Sequence, residues 1–256
     1  MGAEMIERMT TPEGREIAYE ALPGTGPGVV FLGGFRSDME GTKALTMRNR
    51  AIAKGRPFLR LDYSGHGQSS GRFVDGAVGD WFADARAVIA ACTRGPQVIV
   101  GSSMGGWIAL LIARSMPERV GGIVTIAAAP DFTEDLMLRE FTREERARLV
   151  SEGQIERANA YDPQPYVITR RLIEDGRRHL LLRDELRLPM PARFLQGTAD
   201  TEVPVAHAYR LFQHAQGPDL RLMLVKGADH RFSTPDCLAL VEAQTTELVD
   251  RLKTRV

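Results

Sequence analysis

The sequence predicts an α/β domain built on a mostly parallel sheet with helices on both faces. Two observations carry this. Short apolar runs at Val29–Leu32, Phe58–Leu61, Val98–Val100, Ile123–Ala127, Ala192–Gln196 and Leu220–Val225 alternate with longer stretches of helical periodicity, the signature of strands joined by crossover helices. The 256 residues, 43% apolar and 26% charged, suit one large domain, or one domain with an insertion, that buries a substantial core. The formal net charge of zero removes any general attraction for nucleic acid or anionic membrane. No apolar run approaches the length of a membrane span. Residues 1–8 lack an apolar signal-peptide core, and Ile6 stands where N-myristoylation needs Ser or Thr. Cys92 and Cys237 lie far apart without metal-ligand spacing. The expectation is a cytoplasmic, reducing setting, no metal, no nucleic-acid partner and no membrane span. Oligomeric state is not legible in the chain.

Taken in order, residues 4–22 read as an antiparallel entry, with Arg15–Glu20 as one strand, and Gly24–Gly28 as a Gly/Pro turn. Val29–Leu32 is a buried strand ending in Gly33-Gly34, followed by a helix over 43–54. Phe58–Leu61 leads into the turn Asp62-Tyr63-Ser64-Gly65-His66-Gly67-Gln68-Ser69. Within it, Gly65-His66-Gly67 resembles part of a dinucleotide fingerprint but lacks the third glycine. A helix over 77–91 precedes the strand at 97–101, and Gly105–Arg114 reads as a helix packed tightly on the sheet. The strands at 123–127, 192–196 and 220–225 complete the alternation, and a helix over 235–253 closes the chain.

Residues 131–188 break this alternation. The segment mixes both signs of charge and lacks a core-strand run. It is read as a cap inserted between core portions 1–130 and 189–256, because a structureless loop of that length is rare in a compact domain. Thr142-Arg143-Glu144-Glu145 has capping-box form and starts a short helix. Tyr161–Tyr166 reads as a turn joining two short strands, and 168–180 as helical. Phe132, Leu136, Met137, Leu138, Phe141 and Tyr166 either face a substrate or dock the cap on the sheet.

The chemistry starts at Gly101-Ser102-Ser103-Met104-Gly105, Gly-x-Ser-x-Gly between a predicted strand and a predicted helix. Alone, such a pentapeptide also fits an ordinary turn. In this context the flanking glycines relieve the crowding around a serine held in a strained conformation. A serine hydroxyl needs a base to take its proton and an acid to orient that base. Of five histidines, His230 is the best placed base, in a loop after a predicted strand and late in the chain. His66 sits in a tight glycine turn, His179 in the cap, and His207 and His214 at helical spacing, as solvated or satisfied groups. Asp200, in a loop after a strand and before a helix that Pro204 can start, is the expected acid. Asp131 is its main rival. Asp229 adjoins His230 too closely to orient it and is expected to pin the loop. The oxyanion that develops in acyl transfer needs two donors, expected from the backbone N–H groups of Met104 and Phe35.

Five ordered motifs now stand together: the Gly33-Gly34-Phe35 turn, Asp62-x-x-Gly65-x-Gly67-x-Ser69, the serine turn, Gly197-x-x-Asp200-x-x-Val203-Pro204, and Gly227-x-Asp229-His230. Over nearly its whole length the chain resembles the α/β-hydrolase superfamily. The runs Gly41–Leu45, Asp62–Gly65 and Gly101–Trp107 resemble a narrower group within it, that of the mitochondrial α/β-hydrolase-domain palmitoyl-protein thioesterase and acyl-glucuronide deacylase. The resemblance implies the α/β-hydrolase fold and Ser103, Asp200 and His230 as a triad. It further implies hydrolysis of acyl thioesters and carboxylic esters, small or carried on an S-acylated protein, without a cofactor. One departure is Gly33, where the superfamily often carries His before the oxyanion glycine. A carbon–carbon bond hydrolase of meta-cleavage products and a non-catalytic binding protein on the same fold are the competing readings.

Overall fold

The computed structural model describes residues 5–157 and 165–254. They form an eight-stranded sheet from β1 (Glu7–Thr10), β2 (Glu16–Leu22), β3 (Val29–Leu32), β4 (Phe58–Leu61), β5 (Gln97–Ser102), β6 (Val120–Ile126), β7 (Ala192–Gly197) and β8 (Leu220–Val225). The spatial order is β1-β2-β4-β3-β5-β6-β7-β8. β2 pairs antiparallel with both β1 and β4, as the entry pattern predicts, and the other neighbours are parallel. This is the α/β-hydrolase fold expected from the sequence.

Successive strand residues point to opposite faces, and here both faces are apolar because both are covered. Val30, Leu32, Leu59, Leu61, Ile99, Ile123 and Phe194 share one core with α2 (Val78–Cys92) and α3 (Met104–Ser115). Val29, Phe31, Phe58, Val98, Val100, Val124, Ile126 and Leu195 share the other with α1 (Thr42–Ala53) and the C-terminal helix (Pro235–Lys253). Arg60 interrupts an apolar strand yet is fully buried, because its Nε donates to Glu20 on the adjacent strand at 2.8 Å. An unpaired charge there would be prohibitive.

Residues 131–188 carry a π-helical turn at Thr133–Met137, a helix at Arg143–Glu152, strand Gln154–Arg157 paired antiparallel with Tyr166–Thr169, and a helix at Arg170–Gly176. The capping box forms as expected: Thr142 Oγ1 accepts the Glu145 N–H, and the Glu145 carboxylate accepts the Thr142 N–H at 2.8 Å. The helix expected over 168–180 is shorter. Its first residues belong to the strand, it begins at Arg170 with Thr169 as cap, and it ends in a 3₁₀ turn at Arg177–His179. Strand pairing with Gln154–Arg157 outcompetes local helical preference there. The turn expected over Tyr161–Tyr166 lies, through residue 164, outside the described residues.

The segment is tied to the core by Trp107 Nε1–H donating to His179 O at 3.1 Å and by Gly79 N–H donating to Asp175. Among the described residues, no helix is long and apolar enough to cross a membrane. None of them forms a group of three or more His, Cys, Asp or Glu able to hold a metal.

Candidate active site

The sheet delivers the site through one tight junction. β3 and β5 lie side by side, Leu32 against Gly101, so the loops leaving their carboxyl ends meet where the strand order reverses. β5 ends at Ser102 and α3 begins at Met104, leaving Ser103 alone between them at φ +54° and ψ −118°. A non-glycine residue is strained there and persists because its surroundings pin it. The Ser103 N–H donates to Ile126 O at 2.8 Å, and its carbonyl accepts from Gly106 at 2.9 Å and Ala129 at 3.1 Å. The glycines make room for the turn. A Cβ on Gly105 would lie 2.1 Å from Leu32 O, and one on Gly101 2.3 Å from Gly105 O. Both serines line the cleft, but Ser102 is buried in the strand whereas Ser103 is only half-buried.

From Ser103 a hydrogen-bonded run leads inward. Ser103 Oγ is 3.1 Å from His230 Nε2, and His230 Nδ1 is 2.9 Å from Asp200 Oδ2. A carboxylate only accepts, so Nδ1 carries a proton, and in the neutral imidazole Nε2 is then the acceptor for the Ser103 hydroxyl. Asp200 is held from every side. Its Oδ1 accepts the N–H groups of Glu202 and Val203 at 2.9 and 2.8 Å, and its Oδ2 also accepts the Gln196 amide at 3.0 Å. Burial opposes its ionisation, but His230, Val203 and Gln196 outweigh that and hold its carboxyl below the usual carboxylate range.

The two rival acids fall into structural places. Asp131 is fully buried and accepts the Leu181 and Leu182 N–H groups at 2.7 and 2.8 Å, tying the start of the 131–188 segment to its end. Asp229 Oδ1 accepts the Phe232 N–H at 3.1 Å and so closes the His230 loop, as expected. His207 is a satisfied buried histidine, with Nε2 2.8 Å from Pro130 O, and His214 is half-buried beside Asp184 O.

The Gly33–Ser37 loop lies against the serine. A Cβ on Gly34 would sit 3.4 Å from Ser103 Cβ. Phe35 N–H belongs to this loop and Met104 N–H opens α3, and among the described residues neither is given to a protein acceptor. The loop is braced by His66, which sequence reasoning had left as a turn residue. The Arg36 N–H donates to His66 Nε2 at 3.2 Å, and His66 Nδ1 donates to Ser64 O at 3.2 Å.

Burial pulls the pKa of His66 down to about 4 from 6.5. Its folded pKa is depressed, so the stability this adds is full above about pH 6.5 and is lost as pH falls through about 4. The loss expected from this group is on the order of 3 kcal/mol. Urea unfolding at pH 7, 5.5 and 4.5 should give a steeper acid loss for the wild type than for His66→Gln. Equal slopes would remove His66 as the cause.

The site opens into a cleft of about 750 Å³, within the roughly 300–1,000 Å³ usual for small-molecule sites. Its lining includes the apolar Phe35, Phe132, Leu136, Met137, Tyr166 and Ile168 and the polar Ser37, Asp38, Thr42, Lys43, Thr201, Glu202 and Arg231. The 131–188 segment also brings Glu140 and Arg157, paired at 3.2 Å. The apolar residues of the 131–188 segment thus divide. Phe132, Leu136, Met137 and Tyr166 face the cleft, while Leu138 and Phe141 are buried and serve docking. Glu202 stands 3.6 Å from His230 Nε2. Desolvation lowers the pKa of Lys43, whose Nζ donates to Arg231 O. Glu202, Lys43 and His66 have no local signal marking them, because each acts through residues distant in sequence, and Gln196, four residues before Asp200, belongs to no motif.

Comparison with known proteins gives the following. The alpha/beta hydrolase family profile matches residues 29–244. The mitochondrial palmitoyl-protein thioesterase ABHD10 of Rattus norvegicus is 31% identical over 244 residues, 95% of this chain and 82% of that protein. Its Homo sapiens counterpart is 30% identical over 97% of this chain and 81% of that protein. Among solved structures, one from Agrobacterium vitis, named as a hydrolase, superposes with TM-score 0.92 at 38% identity, over 96% of this chain and 99% of its own. Mouse alpha/beta hydrolase domain-containing protein 10 superposes with TM-score 0.89 at 29% identity, over 97% and 99%.

Proposed function

This chain belongs to the alpha/beta hydrolase family, and from that premise we propose that it is a serine hydrolase cleaving acyl thioesters and carboxylic esters through an acyl-enzyme on Ser103. The observation that carries this reading is the hydrogen-bonded run Ser103–His230–Asp200 at the foot of a half-apolar cleft. The thioesterase names of the relatives support the ester and thioester class.

In this mechanism the acyl carbonyl carbon meets Ser103 Oγ as His230 Nε2 takes the hydroxyl proton. Asp200 stays ionised, fixing the tautomer of His230 and stabilising its imidazolium. The developing oxyanion is received by the N–H groups of Phe35 and Met104, each worth about 3–4 kcal/mol of the barrier. His230 returns the proton to the departing thiolate or alkoxide. Water, deprotonated by His230, then attacks the acyl carbonyl and releases the carboxylic acid from Ser103.

Residues 131–188 act as a cap, with Phe132, Leu136, Met137 and Tyr166 enclosing the acyl chain and excluding water. The polar part of the lining receives the leaving group, a small alcohol or thiol or the cysteine of an S-acylated protein. The Ser103–His230–Asp200 run favours this reading over a binding-only role, which needs no activated hydroxyl, and the apolar lining supplies the cover a linear acyl chain needs.

The test is a rate profile over acyl length with matched p-nitrophenyl esters and acyl thioesters. Each buried CH₂ is worth about 0.8 kcal/mol, so kcat/KM should rise about fourfold per added carbon until the apolar lining is filled. A flat profile would count against an acyl pocket. Failure of a fluorophosphonate probe to label Ser103 would sink the nucleophile assignment.

A further inference from the structure

We propose that His66 is a positioning residue for the oxyanion loop, its bare Nε2 accepting the Arg36 N–H and so setting the peptide that follows Phe35. This rests on the reading of Phe35 N–H as an oxyanion donor. The Ser37 N–H donates to Gly34 O at 3.2 Å, which closes a four-residue turn with Phe35 and Arg36 at its centre. Arg36 has φ +58° at the third position of that turn. A positive φ there marks the turn type that normally carries Gly or Asn. Arginine gains by flipping the Phe35–Arg36 peptide, which would return its φ to negative values.

His66 opposes that flip. With Nε2 bare, the flipped peptide would turn the Phe35 carbonyl toward a second acceptor, whereas the observed one offers it an N–H. The tautomer is itself fixed. His66 Nδ1–H donates to Ser64 O at 3.2 Å, and the same carbonyl accepts Trp81 Nε1–H at 3.1 Å. The ring is 4% exposed and boxed edge-on by Phe73, Trp81 and Tyr63 at 5.1, 5.2 and 5.6 Å. It cannot swing away from Arg36 without displacing aromatic core. The charged groups nearest to it, Arg36 and Asp38, lie on the same loop. The Gly65–Gly67 turn thus has a use that its passing likeness to a dinucleotide fingerprint does not suggest. It holds an imidazole beneath the loop that faces Ser103.

The test compares two variants. His66→Gln can place an amide oxygen where Nε2 stood, whereas His66→Asn is too short to reach Arg36 and keeps only the Ser64 side. His66→Asn should lower kcat by about 10–100-fold with KM within about twofold, since the Phe35 N–H lies one peptide before the one His66 holds and shifts when the turn relaxes, and a donor misplaced by a fraction of an ångström loses part of its effect. His66→Gln should recover most of that kcat. Thermal melts of both variants accompany the kinetics. Equal losses in both, or none in His66→Asn, overturn the proposal, and so does an imidazole ¹⁵N spectrum showing Nε2 protonated at pH 7. Fluorophosphonate labelling separates the two readings. No label on wild-type Ser103 overturns the nucleophile and this inference with it. Normal labelling with undiminished kcat in His66→Asn overturns this inference alone.

Discussion

Ser103→Ala should reduce kcat on a p-nitrophenyl ester by about 10⁴-fold or more while leaving the melting temperature nearly unchanged. The substitution removes one hydroxyl, whose hydrogen-bond partner is His230 Nε2 at 3.1 Å. The His230 side chain is 15% exposed and faces an open cleft, so water can replace the lost donor and little folding free energy is at stake. The strained backbone at φ +54° is kept, because alanine and serine share the same Cβ constraint. Chemistry alone should therefore suffer, with substrate binding and the oxyanion donors supplying any residual rate. Steady-state kinetics beside a thermal melt checks this, and turnover at the wild-type rate would end the assignment of Ser103.

Asp200→Asn should cost a comparable factor, about 10⁴ in kcat, with a stability loss added. The two carboxylate oxygens have different duties. Oδ1 accepts the N–H groups of Glu202 and Val203, while Oδ2 accepts from Gln196 and His230. The introduced amide must keep its oxygen toward the two backbone donors. Its NH₂ then faces the Gln196 NH₂ and His230 Nδ1. His230 can relieve this by moving its proton to Nε2, the tautomer that cannot take a proton from Ser103. The Gln196 NH₂ keeps Val203 O at 2.9 Å and Gly197 O at 3.3 Å as acceptors but loses its charged partner and meets a like donor, at about 1.5–3 kcal/mol. The wild type, with its depressed Asp200 pKa, holds that stabilisation above the usual carboxylate range and loses it as pH falls through the folded value. The variant lacks this acid-labile part, so its melting temperature should be lower at neutral pH and less sensitive to acid. Retained activity, or a melting temperature equal to that of the wild type at neutral pH, would contradict the division of labour between the oxygens.

How much of this was legible in the chain depends on the range of the physics. The alternation of Val29–Leu32 and Val98–Val100 with helical stretches marks strands covered on both faces, and both cores bear it out. The glycines at 101 and 105 signal a backbone crossing too close for any side chain, which is a local steric demand. The succession of a serine turn, Asp200 after one strand and His230 after the next is likewise visible. A parallel sheet brings the carboxyl ends of its strands together whatever lies between them.

Pairings across long stretches of chain were not legible. The helix expected over 168–180 starts at Arg170 because Tyr166–Thr169 pairs with Gln154–Arg157, and propensity yields to that pairing. That Leu136 and Met137 reach the cleft while Leu138 and Phe141 are buried depends on how the π-helical turn is set, and that Tyr166 reaches it depends on a separate strand, not on hydrophobicity, which all share. His66 beneath Arg36, thirty residues away, leaves no periodicity or motif behind. The sequence by itself therefore determined the fold class and the order of Ser103, Asp200 and His230, because short-range sterics and apolar period are written residue by residue. Which ring nitrogen faces which partner, which loop carries strain and which apolar residues reach the cleft emerge only from the folded chain. Those depend on directions in space between groups far apart in the chain.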